Sequence, residues 1–222
     1  MAKEIKNENV EAVVEAVSKT EQFFNKNGKL IGGIAAGIVV VAAIVFCWYK
    51  FAYQPALQEA QGQMAYAEEN FRGGDYELAL NGDGNTLGFV QIIDEYGTKA
   101  GKAVYFYAGV CELQLGEWEQ AIKYLKSYNG KDAILAARAT ACLGDAYVGL
   151  EDYKTALGYF EKAAATADNM YAAGYLLKAA AVAEALGEND KALSFYKKIQ
   201  DQYPQSLEAY DVDKYIGRME AK

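Results

Sequence analysis

Residues 143–163, LGDAYVGLEDYKTALGYFEKA, decide the fold of this chain. A small residue, Gly144, is followed three positions later by Tyr147. An acidic turn, Glu151-Asp152, then precedes an aromatic, Tyr153, and an alanine, Ala156. Phe160 and Ala163 continue the apolar face of the second half at helical spacing. This is the pattern of two antiparallel helices that approach closely at small residues. It recurs along the chain. Gly74-Asp75-Tyr76-Glu77-Leu78-Ala79, Gly116-Glu117-Trp118-Glu119-Gln120-Ala121 and Gly187-Glu188-Asn189-Asp190-Lys191-Ala192 repeat the turn and the alanine. Ala121, Ala156 and Ala192 stand 35 and 36 residues apart. A period of that size marks a helical solenoid, in which each pair of helices buries its face against the next.

In register with this period, Leu143-Gly144, Tyr147, Ala156, Phe160 and Ala163 occupy the signature positions of the tetratricopeptide repeat, which the chain resembles. Tyr105, Gly109, Ala121 and Leu125 occupy them in the unit before; Ala180, Ala192, Tyr196 and Pro204 do so in the unit after. Departures are Glu112 and Ala183 where tyrosine is usual, and Thr140 where tryptophan is usual. The expected architecture is all-α. Its repeat units lie at about 60–80, 102–134, 137–170 and 173–205, with an insert at 81–98 and a terminal capping helix at 206–219.

Upstream lies an uncharged run of twenty residues, Leu30 to Tyr49, LIGGIAAGIVVVAAIVFCWY. A helix of that length spans roughly 30 Å, the hydrocarbon thickness of a bilayer. Ten of its residues are Leu, Ile, Val or Phe, which favours insertion by about 3–6 kcal/mol before the glycines subtract. It is too long for a cleaved signal and has no small-x-small exit. A buried core helix would carry a polar face. Lys26 and Lys29 precede the run and Lys50 alone follows it closely, which places the N-terminus inside and the remainder outside. Trp48, Tyr49, Phe51 and Tyr53 form the outer aromatic belt. The organisation expected is a cytoplasmic amphipathic segment at 1–29, one transmembrane helix at 30–49, and an exported repeat domain at 50–222. Val10, Val13, Val14, Val17 and Phe24 give the first segment its apolar face, and Asn27-Gly28 is a helix stop that predicts a break before the span. Gly33 and Gly37, four residues apart, offer a helix-packing face within the span.

Composition narrows the function classes. Beyond Tyr53 there are 16 Lys and Arg against 25 Asp and Glu, a net charge of −9, so the basic footprint of a nucleic-acid binder is missing. The chain has no histidine, which removes imidazole bases, Ser-His-Asp and Cys-His nucleophile systems and HExxH zinc sites. No catalytic constellation, metal site or cofactor motif is legible, and the chain reads as non-enzymatic. Asn81-Gly82-Asp83-Gly84-Asn85 has the early oxygen spacing of a calcium loop, but Thr86 replaces the required glycine and Ile92 the bidentate glutamate; it reads as a turn. The three cysteines, Cys47, Cys111 and Cys142, read as small buried hydrophobes, with a Cys111–Cys142 bridge left open.

The first helices of a tetratricopeptide solenoid line its concave groove. By that resemblance the partner-binding positions are Phe106, Val110, Leu113 and Gln114, then Arg138, Ala141, Asp145 and Val148, then Leu177, Ala181 and Glu184. This lining is largely apolar with one Arg. The Lys/Asn clamp with which some members grip a C-terminal carboxylate is missing, and an apolar groove suits unfolded or amphipathic segments. The alternative is that the solenoid's own termini or the 81–98 insert fill it.

A second resemblance lies further upstream. Glu11-Ala12-Val13, then Phe23-Phe24-Asn25-Lys26-Asn27-Gly28-Lys29, one membrane helix and a repeat domain are similar to the YfgM-type ancillary subunits of the bacterial Sec translocon. That resemblance implies a bacterial inner-membrane protein with a periplasmic repeat domain. It also implies association with SecYEG and with a PpiD-like periplasmic chaperone, and a role in handing translocating polypeptides to folding factors. The alternatives are an anchored scaffold of another cell-envelope assembly, or a tethered regulator acting through residues 8–27.

Overall fold

The computed structural model describes the backbone of residues 2–166, 169 and 171–221; side chains are described from Val17 onward, except those of residues 19, 20, 24, 98, 167, 168, 170 and 222. The described residues are all-α, in two compact units, one ending at Pro55 and one beginning at Ala56.

The first unit is dominated by α1, Ala2–Trp48. No residue of the apolar window within it is buried, and the helix is long and apolar enough to cross a membrane. The break expected at Asn27-Gly28 does not occur. Asn27 Nδ2 instead donates to the Phe23 carbonyl one turn back, at 3.1 Å. A single glycine costs a helix only about 1 kcal/mol, which its neighbours outweigh unless a proline follows closely. Of the expected amphipathic face, Val10, Val13, Val14 and Phe24 lie outside the described side chains, and Val17 is exposed. The helix widens into a π-turn at Tyr49–Tyr53, where the Gln54 N–H donates to the Tyr49 carbonyl. Pro55 explains the change. In α-helical register its ring would collide with the Phe51 carbonyl, and the wider turn removes that contact.

The second unit runs from α2 (Gln54–Gly73), α3 (Tyr76–Asn81) and α4 (Phe89–Tyr96) into three helix pairs. These are α5 (Ala103–Leu115) with α6 (Trp118–Ser127), α7 (Ala133–Gly149) with α8 (Tyr153–Thr166), and α9 (Tyr171–Ala185) with α10 (Asn189–Gln202); α11 (Ala209–Glu220) follows. Each helix packs on its successor from α5 to α11. A Cβ added at Gly144 would lie 2.6 Å from Phe160 Cε1, and one added at Gly109 would lie 2.6 Å from Leu125 Cγ. The alanines at the turn side, Ala121, Ala156 and Ala192, are fully buried.

The four recurring turns share one backbone solution. Gly74, Gly116, Glu151 and Gly187 all have positive φ, from 60° to 84°. In each, the next residue's N–H reaches back five positions: Asp75 to Asn70, Glu117 to Glu112, Asp152 to Tyr147 and Glu188 to Ala183, at 2.8–3.0 Å. This left-handed closure satisfies carbonyls orphaned at the end of the first helix. The acidic residue then starts the second helix, and Asp152 caps it by accepting from the Thr155 N–H at 3.1 Å.

The segment at 81–98, read from sequence as an intervening insert, contains a helix with its own share of the core. Gly82 breaks the chain at φ 70°. Asp83 Oδ1 accepts from the Asn85 N–H, the Thr86 N–H and the Thr86 hydroxyl. These bonds hold the Asp83 carboxyl below its ordinary range. Gln91 Oε1 accepts from the Gly88 N–H at 2.8 Å as α4 begins. Phe89, Ile92 and Tyr96 of α4 then join Ala60, Met64, Val104 and Cys111 in one apolar cluster. The segment therefore completes the first core and contributes nothing to the lining of the groove.

Glu151 alone among these turns carries a Cβ in the left-handed region. Relieving that strain outweighs the entropy glycine adds to the unfolded chain. Glu151→Gly is expected to stabilise the protein by about 0.5–1 kcal/mol, and Gly116→Ala to destabilise it. Urea unfolding followed by circular dichroism in detergent checks both signs.

Candidate functional site

Side chains of α5, α7 and α9, with the corner before α11, enclose a groove of about 610 Å³. Of the positions expected from sequence, Val110, Leu113, Gln114, Arg138, Ala141 and Asp145 line it. Phe106 does not. It is buried in the core beneath Arg138, whose guanidinium carbon lies 5.9 Å from its ring centroid. Val148 and Leu177 are half-buried and pack against the carboxyl-terminal core. Ala181 is exposed but outside the groove. Glu184 is committed elsewhere: it accepts from the Tyr196 hydroxyl at 2.6 Å and from Arg218 of α11 at 2.6 and 2.8 Å.

The lining combines apolar and charged side chains. Val110, Leu113, Ala141 and Cys142 are buried and form a floor. Above it stand Gln114, Arg138, Asp145, Lys178 and Glu208. Lys178 Nζ donates to both Asp145 carboxylate oxygens at 2.7 Å, across one repeat. Burial pushes the Asp145 carboxyl above its ordinary range, while Lys178 opposes the shift. Arg138 makes no ion pair among the described residues. Three exposed apolar side chains stand at the mouth: Ile134 at 50%, Tyr171 at 53% and Leu207 at 79% exposure.

Lys178, Tyr171 and Leu207 were missed from sequence for different reasons. Lys178 carries a signal: it lies 33 residues from Asp145, about one repeat, with opposite charge. Tyr171 begins α9, six residues before the first expected position, Leu177, and between the units expected at 137–170 and 173–205. Leu207 lies at the corner between α10 and α11, outside the numbering of any unit.

Cys111 and Cys142 are buried free thiols, so the bridge left open from sequence is not formed. Burial, with Glu112 adding, pushes the Cys111 thiol up to about 12. Burial, with Asp145 adding, pushes Cys142 up to about 11. Among the described residues no group of three His, Cys, Asp or Glu is placed to hold a metal ion. On α1, a Cβ at Gly33 or Gly37 would meet nothing within 4 Å among the described residues.

Paired helices closed by left-handed turns, with an open groove on the first helices, define an all-α protein of helical repeats of the tetratricopeptide type. Residues 103–131 and 175–206 match the tetratricopeptide repeat model. A solved structure described as "Crystal structure of MamA protein" is similar over 74% of this chain and 84% of that one, with a TM-score of 0.57 and 21% identity. That likeness is one of fold. Comparison with curated proteins gives no match.

Two measurements check the site. Raised thiol pKa and burial together predict that Cys111 and Cys142 resist iodoacetamide at pH 7.5 until denaturant is added, read by mass spectrometry; fast labelling of the native protein contradicts this. Carbon-detected NMR is expected to find Asp145 titrating above the ordinary carboxylate range and Asp83 and Asp152 below it. The signs follow. Asp83 and Asp152 contribute stability above their unfolded pKa that is lost as pH falls through the folded value. Asp145 does the reverse, its contribution declining as pH rises from 3.8 through its folded value.

Proposed function

We propose that this chain is a membrane-anchored protein-interaction module, in which α1 crosses the bacterial inner membrane and the periplasmic repeat groove binds polypeptide. One observation carries the reading: an apolar helix window with no buried residue is joined in one chain to a repeat unit with an open groove. Water solvates such a helix poorly, and lipid removes that cost. Lys26 and Lys29 before the span support an N-inside orientation. The YfgM-type resemblance of residues 11–29 supports a place beside SecYEG and a PpiD-like chaperone. Gly33 and Gly37 would then receive a neighbouring membrane helix, and the groove would receive translocating polypeptides or the chaperone.

The test is photocrosslinking in membranes, with probes at Gly33 on α1 and Ile134 at the groove. The proposal expects channel subunits from the first and a periplasmic chaperone or exported chain from the second. Recovery of cell-wall or outer-membrane components alone contradicts it. A phosphatase reporter fused after Lys222 is expected to be active; a silent phosphatase with an active cytoplasmic reporter overturns the orientation.

A further inference from the structure

The groove holds an unequal arrangement of charge inside an acidic domain. Asp145 and Lys178 neutralise each other at 2.7 Å. Arg138 leans toward the α5 wall over Phe106 and has no carboxylate partner among the described residues. Beside it, the mouth presents Ile134, Tyr171 and Leu207 from three separate elements, each at least half exposed. Leu207 is held there by structure. Ser206 is buried, its N–H donates to the Tyr203 carbonyl at 2.9 Å, and its hydroxyl accepts from the Ala209 N–H at 3.3 Å. Leu207 therefore projects from a fixed corner toward the same opening as Tyr171. Glu208 of the same corner reaches α9, its Oε1 lying 3.1 Å from where a Cβ at Gly174 would stand.

We propose that the Ser206–Glu208 corner is the fourth wall of the binding site. The site takes an extended polypeptide segment with an apolar side chain seated among Ile134, Tyr171 and Leu207 and an acidic side chain beside it on Arg138. Convergent exposed side chains supply the anchor: burying one such residue is the larger part of the affinity. The unmatched guanidinium supplies selectivity. An acidic group approaching an isolated surface would meet the domain's net charge of −9; at this point it meets the one groove cation that no carboxylate already holds. A basic neighbour would face Arg138 instead and lose affinity. This rests on the groove being the binding surface.

The experiment uses the full chain in nanodiscs and fluorescein-labelled Gly/Ser octapeptides with a central Leu-Phe pair flanked by Glu, Gln or Lys. Anisotropy should rank Glu over Gln by about three- to fivefold, and Gln over Lys. Arg138→Gln should remove the ranking. Leu207→Ser should weaken all three by about tenfold, while Tyr66→Ser, at an exposed aromatic on α2, leaves them unchanged. Equal binding of all three peptides, a ranking that survives Arg138→Gln, or indifference to Leu207→Ser overturns this proposal and leaves the groove reading standing. No binding by any peptide overturns both.

Discussion

A Cβ at Gly144 would lie 2.6 Å from Phe160, and one at Gly109 the same distance from Leu125. The two helices of each unit reach their observed separation because a small residue on the first faces a large apolar one on the second. Packing density leaves no slack for a side chain at that contact. Every later feature follows from this approach. It sets where the turns must close, brings the first helices of successive units onto one side, and thereby opens the groove. The third unit meets the same constraint with Ala180 and Tyr196, both buried. There the Tyr196 hydroxyl finds Glu184, and Arg218 joins α11 to the same carboxylate.

Much of this was legible because the period lies in backbone requirements. A left-handed turn needs glycine or tolerates strain, a second helix needs an acidic start, and a close approach needs a small residue. Those three demands wrote Gly116-Glu117, Glu151-Asp152 and Gly187-Glu188 at nearly equal spacing. The helix at 89–96 was hidden because its neighbours, Gly82, Gly84 and Gly88, read as loop, and its eight residues are too few for a helical period to stand out. Asn27-Gly28 misled in the other direction: a stop signal works only when the chain beyond it prefers to leave the helix.

The groove was half legible for a related reason. Signature positions identify which face of a first helix points inward, and Arg138 and Asp145 stand on the groove. They do not reveal which apolar members sink into the core, as Phe106 does, or what a non-repeating corner adds. Leu207 is positioned by the bonds of Ser206 and the start of α11, and nothing in a repeat alignment carries that information. The result is a site with an apolar floor, a closed ion pair, one unmatched cation and an exposed apolar mouth.

Hydrogen exchange by mass spectrometry on the full chain in nanodiscs, with and without the Glu-flanked peptide, tests the account most directly. Protection is expected to concentrate at the start of α7, around Tyr171 and across Ser206–Glu208. Protection confined to α6 and α8, or spread evenly over the repeats, would contradict a binding groove built on the first helices and the terminal corner.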